Sequence, residues 1–559
     1  MVDILAIINE LPLNPSEALI QLNFVLGNKK IRSLFKKDKK QKDPVYGIHI
    51  KSLDHKSKSY QKPSFSSSVY ISYIKSIGRS KQKKPTPNYN PLFKLWDTHN
   101  FNKEWMCITK DDIISAIENK ETKDHYRAKF TVLQNMFDLE PKLLDFMVDC
   151  YNRLLDHKIC PEWSNCGLIP AHKGGDPYDA KNFRPLTVIP LVVRIWDSII
   201  SKNLSEQLKK YGVIDTLVQR GVLSGVGGLS QNLIDVNRAM CSISDDEICF
   251  FIDITNAYGS VNYGVLSYIL HEYNFSPAFT KYVETYYMNA YASYDGQIFR
   301  WENGLYQGSG LSNLLFLIYM DYVLKNTTTD LKMMHIIDFG FDLQKKTRAF
   351  VDDLVIFFPK KSFSQAIEFI EMLFSRFYGL EINQKKTYFF MNDPKVSVLT
   401  IGDIQFQRVD IDFLYLGLGL MCFREEFLSN YLETTRLYLE EIDSFVIDPK
   451  YKLYLYYRRV FQRINRTFKC YYAIHGRTAG LDKIIKLVVY FIYRWTGAFP
   501  SEYLEKHIEY IGNKVINDES SEMIDFPTLF GIENPIDDDF IEGMKSINTQ
   551  NTTADPYLI

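Results

Sequence analysis

The sequence predicts an α+β protein, and three observations carry that expectation. Between residues 166 and 425, short apolar runs bounded by Gly, Asp and Pro (CGLIP, ICFFIDI, RAFVDDLVIFF, VSVLTI, DFLYLGLGL) have the length and flanks of strands. On either side of that stretch the apolar residues recur at helical spacing instead. The composition, 46% hydrophobic and 24% charged, is that of an ordinary globular chain, which excludes wholesale disorder, a collagen-like rod or a membrane bundle. At 559 residues the chain has room for a large core and several domains.

In order along the chain, Val2 to Leu26 reads as a short helical region ended near Gly27. From Lys29 to about Asn90 the sequence is rich in Lys, Ser, Gln and Pro (KKDKKQK, KPSFSSS, KQKKPTPNYNP), the composition of a mobile, solvated linker. Residues 109–159 return to helical periodicity, with Leu143, Leu144, Met147, Val148, Tyr151, Leu154 and Leu155 on the pattern and Pro161 as a stop. Within the strand-rich region, Val192, Trp196, Ile200, Leu204 and Leu208 repeat at i+4 and predict a helix over 190–210. From Glu425 to about Trp495 three helical segments follow, separated by Asp448-Pro449 and by Gly476 to Gly480.

The formal net charge of −1 hides a polarised chain. Residues 29–84 hold 17 Lys/Arg against 3 Asp, a formal +14, and residues 518–559 hold 10 Asp/Glu against one Lys, a formal −9. The basic arm could grip nucleic-acid phosphates by releasing their counterions. A nuclear-targeting signal in FKKDKKQK and a solubilising linker are competing readings. The eight cysteines form no CxxC pair and no tight Cys/His cluster, so a zinc finger or disulfide framework is not expected. No apolar run is long enough for a membrane span, and MVDILAIINELPLNP lacks the basic lead-in of a secretory signal. The expected location is intracellular, nucleus or cytoplasm, with no membrane partner.

Two acidic sites fall on predicted strands, where carboxylates are disfavoured unless their charge is compensated. One is Asp253 in ICFFIDITNAYGSVN, and the other is the pair Asp352-Asp353, whose apolar flanks suggest a hairpin turning on the acidic doublet. Like charges held together in an apolar sheet repel, and a divalent cation is the natural remedy. Asp253 and Asp352 could together hold two Mg²⁺ ions about 3.5–4 Å apart, the arrangement that stabilises attacking and leaving oxygens in phosphoryl transfer. Taken alone, an Asp-Asp doublet fits a solvated hairpin turn just as well.

The order of the surrounding motifs separates these readings. GLIPAHKGGDPYDAKNFRPLTVIP (167–190), QRGVLSGVGG (219–228), FFIDITNAYGSV (250–261), GLYQGSGLSNLLF (304–316), FVDD (350–353), GLEINQKKT (379–387) and FLYLGLGL (413–420) follow one another at fixed intervals. As a series they resemble the reverse transcriptase domain, most closely that of non-long-terminal-repeat retrotransposons, over roughly residues 140–425. The resemblance implies a right-hand polymerase: a helical prelude (101–165), fingers and palm with an antiparallel sheet (166–424) and an α-helical thumb (425–515). A flexible basic region (1–100) and an acidic tail (516–559) would flank it. The implied activity is RNA-directed DNA synthesis, a nucleotidyl transfer with two Mg²⁺ for which Mn²⁺ can substitute. The implied partners are an RNA template, a DNA or RNA primer and deoxynucleoside triphosphates.

Carried over residue by residue, the resemblance makes Asp253, Asp352 and Asp353 the acidic metal set, joined by the Ile254 carbonyl, with Asp353 the least certain ligand. Lys173 and Arg184 would lie over the incoming phosphates, where Arg offers a bidentate fork and Lys a mobile charge. Tyr258 takes the place of the aromatic gate whose ring leaves no room for a 2′-hydroxyl; by itself it also fits a core tyrosine. Gln307 and Gly308 match the Gln-Gly that approaches the template and the nascent pair. Ser309, Gly310 and Asn313 depart from the acidic residue and prolines usual there. Lys386 would protonate the leaving pyrophosphate. Tyr415, Leu416 and Gly417 would hold the primer end. Arg459, Arg463 and Arg466, predicted on one helical face opposite Val460, Ile464 and Phe468, would meet the template–primer backbone or form a solvated basic face.

The segment ENKETKDHYRAKF lacks the Gly-Pro-Asp-Gly stretch usual in these elements, and no endonuclease, zinc-module or ribonuclease H signature is visible within the sequence. The priming 3′ end is therefore expected from a separate endonuclease, an existing break or a self-priming RNA. Two alternatives remain open from sequence: an RNA-dependent RNA polymerase with a similar palm, and a nucleic-acid-binding derivative that no longer catalyses.

Overall fold

The computed structural model describes residues 11–27, 63–78, 104–118, 127–223, 228–447, 452 and 455–496, apart from 339, 342, 344 and 477. Two sheets organise it. The first has strand order β2-β1-β4-β5, built from β1 (Asn165–His172), β2 (Phe183–Val188), β4 (Tyr291–Tyr294) and β5 (Gln297–Arg300). The second has order β6-β7-β3-β8-β10-β9, with β3 (Glu247–Ile252), β6 (Thr347–Phe350), β7 (Asp353–Pro359), β8 (Tyr388–Phe390), β9 (Val398–Ile401) and β10 (Ile404–Arg408). A two-stranded hairpin, β11 (Leu414–Tyr415) with β12 (Leu418–Gly419), follows.

The central strands of the second sheet are buried on both faces, which explains why they read as continuous apolar runs instead of alternating ones. Ile248, Phe250 and Ile252 of β3, with Leu354, Ile356 and Phe358 of β7, enter the core shared with the first sheet and the N-terminal helices. The intervening Cys249, Phe251, Val355 and Phe357 enter a second core built with the C-terminal helices. The two strands pair antiparallel, from Glu247 opposite Pro359 to Ile252 opposite Leu354. This register brings the end of β3 to the start of β7.

The helices follow the apolar spacing. Lys142–Arg153 buries Leu143, Leu144, Met147 and Tyr151. Leu191–Lys210 buries Val192, Trp196, Ile200, Leu204 and Leu208, the whole predicted stripe. Gly310–Met333 is hydrophobic on nearly every side and runs through the core. Of the C-terminal helices Arg424–Ser444, Gln462–His475 and Ala479–Thr496, the second ends at Gly476 as predicted, whereas Asp448-Pro449 lies outside the described residues. Among the described residues no helix is long and apolar enough to cross a membrane.

One expectation is corrected. Residues 67–78, assigned by composition to a solvated linker, form the helix Ser67–Gly78, with Tyr70, Ile71 and Ile74 buried in the first core. The i, i+1, i+4 apolar stripe of SSVYISYIKSIG decides its fate, and the average over the basic arm conceals it. Helix Pro15–Gly27 is docked in the same core through Leu19, Leu22 and Leu26, so neither segment of the expected flexible region 1–100 is loose. The remainder of the basic arm, including FKKDKKQK, and the acidic tail lie outside the described residues.

Asp330 of helix Gly310–Met333 is 4% exposed, its Oδ2 meets no hydrogen-bond partner, and burial pushes its carboxyl up to about 6. A carboxyl that holds its proton more tightly folded than unfolded contributes stability at low pH, and that contribution is lost as pH rises through the folded value. Asp330→Asn should therefore stabilise the protein by on the order of 1–3 kcal/mol near pH 7.5 and much less near pH 4.5. Thermal melts at both pH values check this, and equal shifts would contradict it.

Candidate active site

Asp253 is the first residue beyond β3, and Asp352 stands in the two-residue turn between β6 and β7. The turn comprises Val351 and Asp352, while Asp353 begins β7 opposite Phe350, so the hairpin turns one residue earlier than the acidic doublet predicted. All three carboxylates are half-buried. Burial and then the Asp253 charge raise the Asp352 carboxyl. Burial, then Asp352 and Asp253, push Asp353 up to about 6. Burial also raises Asp253, against the opposing pull of Lys386 and Asn383. The site gathers three mutually repelling carboxylates.

The backbone around Asp253 is fixed by the loop that carries Lys386. Asn383 donates its amide to the Asp253 carbonyl at 2.8 Å, Thr255 donates to the Glu381 carbonyl at 2.8 Å, and Asp253 donates to Thr387 Oγ1 at 3.2 Å. The residues flanking Ile254 make this bridge to Ile382, so the Ile254 carbonyl takes no part in it. Exposed Lys386 acts electrostatically on both Asp253 and Asp353. Arg184 acts on Asp352 and Asp353 from β2, where it pairs with Ala171 of β1. Lys173 donates to the Lys181 carbonyl at 3.1 Å. Partial desolvation, then Arg184 and Lys386, lower its ammonium. Arg184 and Lys386 thus act on the carboxylates from two separate elements, 69 and 133 residues away from Asp253 in sequence, and Lys173 lies near both cations.

Tyr258 lies on the short helix Ala257–Ser260, entered through Asn256 in the left-handed region at φ 47°. Its ring stacks on Phe316 at 4.7 Å and 14°, and its hydroxyl donates to Asn313 Oδ1 at 2.9 Å. Burial and then the Asp352 charge raise the phenol. This segment is pinned to the loop that carries Gln307 by Leu305 donating to the Tyr258 carbonyl at 2.8 Å. Gly304, at φ 86°, meets Gly259 so closely that a Cβ would lie 2.5 Å from its Cα, so no larger residue fits there.

The Gln307 carbonyl accepts from the Thr187 amide at 2.8 Å and from Thr187 Oγ1 at 2.9 Å, tying this loop to β2. Arg194 bonds the Gly308 carbonyl. The departures at Ser309 and Gly310 are compensated from elsewhere in the chain. Ser309 caps helix Gly310–Met333, and buried Asp197 accepts from Ser309 Oγ at 3.0 Å and from the Gly310 amide at 2.8 Å. Burial raises the Asp197 carboxyl against these bonds.

A cleft of about 490 Å³ opens beside the carboxylates, lined by Asp253, Asp353, Lys386, Tyr388, Asp410, Asp412 and the β11 hairpin. The hairpin turns on Leu416 and Gly417, at φ 51° and 77°. Tyr415 differs from the expectation of a primer contact: it is 4% exposed, accepts from Asn232 Nδ2 at 2.7 Å and stacks edge-on with Phe251. Its ring holds the hairpin to the second core, which leaves Gly417 exposed and Leu416 half-buried against that core.

The three arginines do not share one face. A π-turn over Tyr457–Phe461 adds a residue to the helical repeat and moves Arg459 off the line of Arg463. Arg459 is 8% exposed and paired with Glu441 at 3.5 Å. Arg463 is exposed, donates to the Tyr438 hydroxyl at 2.8 Å and lies over its ring. Arg466 is half-buried. Asn313, Asp197 and Thr187 were not singled out as site residues from sequence; the unusual Ser309-Gly310 was the only signal that a capping partner had to exist.

Among the described residues no three His, Cys, Asp or Glu side chains gather as a self-sufficient metal cage. A Mg²⁺ site needs only one or two carboxylates, because substrate phosphates complete its shell. The repelling Asp253 and Asp352 with the unengaged Ile254 carbonyl fit that requirement.

The carboxylates adjoin at the end of β3 and the start of β7, Arg184 acts on them from the other sheet, and a helical unit follows, the arrangement expected of a right-hand polymerase. Residues 171–418 match the family model of the reverse transcriptase (RNA-dependent DNA polymerase), and this part of the chain is a reverse transcriptase domain, the nucleotidyltransferase module of RNA-directed DNA polymerases. Over 323 residues the chain is 22% identical to the retrovirus-related Pol polyprotein from the type-2 retrotransposable element R2DM of Drosophila melanogaster. That match covers 56% of this chain and only 29% of the polyprotein. Among solved structures, Candida albicans telomerase in complex with a fragment of telomeric RNA has a TM-score of 0.35 and 11% identity, over 72% of this chain and 79% of that one. The RNA-dependent RNA polymerase of a human picobirnavirus has a TM-score of 0.34 and 12% identity, over 64% and 63%. Members of the matched family extend a primer on a template with nucleotides and use divalent metal ions.

Proposed function

We propose that this protein synthesises DNA on an RNA template by two-metal nucleotidyl transfer. The observation that carries the reading is the meeting of Asp253 and Asp352 under the influence of Arg184 and Lys386, with Lys173 near those two cations and Tyr258 feeling the Asp352 charge. Asp253 and Asp352, with the Ile254 carbonyl, would hold the Mg²⁺ ions, and Asp353 adds charge next to them. Bound there, the ions supply Lewis-acid stabilisation of the attacking and leaving oxygens.

The chain's own residues do the rest. Arg184 and Lys173 bind the triphosphate and align it for in-line attack by a primer 3′-hydroxyl. Lys386 delivers a proton to the departing pyrophosphate. The Tyr258 ring, braced by Phe316 and Asn313, occupies the volume a ribose 2′-hydroxyl would need. Gln307 and Gly308 back the template-paired nucleotide, Leu416 and Gly417 support the primer end, and Arg463 and Arg466 meet the duplex backbone. The priming end comes from outside the described residues: a separate endonuclease, a break or the RNA itself.

Primer extension with Mg²⁺ or Mn²⁺ tests this reading on RNA and DNA templates, with deoxy- and ribonucleotides offered separately. The expected result is extension on RNA with deoxynucleotides. Preference for ribonucleotides would instead identify an RNA polymerase, and binding without extension on any template would identify a derivative that no longer catalyses.

A further inference from the structure

The motif QRGVLSGVGG has no part in the chemistry above, yet its first residue, Gln219, lies 1% exposed beside the turn of the catalytic hairpin. Val351, which precedes Asp352, sits at φ 64°. A β-branched residue in the left-handed region is strained, and the strain persists only where the surroundings over-determine it. Here one carboxamide supplies that determination. Gln219 Nε2 donates to the Val351 carbonyl at 3.0 Å, and Oε1 accepts from the Val351 amide at 2.8 Å and from the Gly221 amide at 3.1 Å. The main chain is clamped on the same side, Ala349 donating to the Val218 carbonyl at 2.7 Å and Arg220 donating to the Ala349 carbonyl at 2.9 Å. Gly221 completes the seat: a Cβ there would lie 2.6 Å from Val351 Cγ2.

We infer that Gln219 is a positioning residue that locks Val351 in the left-handed conformation and thereby aims Asp352. The inference rests on the reading of Asp352 as a catalytic carboxylate. Glutamine suits this task because its planar amide presents a donor and an acceptor together, matching the N–H and C=O of one residue. A carboxylate can accept from the amide but repels the carbonyl, and an aliphatic chain satisfies neither. Without the lock, Val351 relaxes toward the ordinary β or α regions and swings the Asp352 carboxylate away from Asp253.

The test compares Gln219→Leu, Gln219→Glu and Asp352→Asn, the two Gln219 variants with and without Val351→Gly. The readouts are kcat, KM for deoxynucleotide, template–primer affinity and melting temperature. Gln219→Glu keeps both accepted bonds and guards against a leucine variant that fails to fold. The expected result is a fall in kcat of about 10- to 100-fold with KM and template affinity held within about twofold. Adding Val351→Gly should recover kcat several-fold, because glycine takes a positive φ without strain. The inference is overturned if kcat survives in both Gln219 variants while Asp352→Asn is dead. It is overturned equally if Val351→Gly only deepens the loss in step with melting temperature, the behaviour of a packing defect. Full turnover by Asp352→Asn would overturn the reading of the hairpin as catalytic, and the inference with it.

Discussion

Asp352→Asn should reduce nucleotide addition by about 10³-fold or more and leave the fold intact. The substitution deletes one negative charge and almost no volume at a half-buried turn where Asp253 and burial already oppose ionisation. Removing that charge relieves repulsion among three carboxylates, so the melting temperature should hold or rise while catalysis fails. A general loss of packing would move the two together. Single-turnover primer extension beside a thermal melt separates these outcomes, and retained turnover would refute the role of Asp352.

Tyr258→Ala should weaken discrimination against ribonucleotides by about 10- to 100-fold, the equivalent of the roughly 1–3 kcal/mol that forcing an extra group into a filled site costs. The ring cannot swing aside to admit the hydroxyl, because Phe316 lies flat against it at 4.7 Å and Asn313 holds its oxygen at 2.9 Å. Phe316 is itself fully buried. The ratio of kcat/KM for deoxy- and ribonucleotides measures the effect. Tyr258→Phe, which keeps ring and stack, should preserve the preference, and an unchanged ratio in Tyr258→Ala would mean that the ring only packs.

The strands that carry the carboxylates were legible because burial on both faces writes a continuous apolar run, and an acid at the end of such a run stands out. The β4–β5 hairpin was missed although YASYDGQIFR carries the Asp-Gly turn signal, with Asp295 and Gly296 at φ 48° and 76°. Helix Ser67–Gly78 was hidden by its lysine-rich surroundings. Arg459 was misplaced because a π-turn, set by tertiary packing, breaks the periodicity from which faces are inferred. Tyr415 was read by its place in a motif, whereas its neighbours Asn232 and Phe251 come from elements more than 160 residues earlier. Hydrogen bonds across such distances, including those of Asp197 to Ser309 and Gly310, leave no mark in local sequence.

The sheet that carries β3 and β7 has no face of its own: residues of one parity belong to the core beneath the N-terminal helices, and those of the other parity to the core beneath the C-terminal helices. The two cores share that sheet as a common wall. Stripping away the C-terminal helices would leave Phe251, Val355 and Phe357 facing water, so the two cores are expected to melt in one shared transition, which calorimetry would show as a single peak.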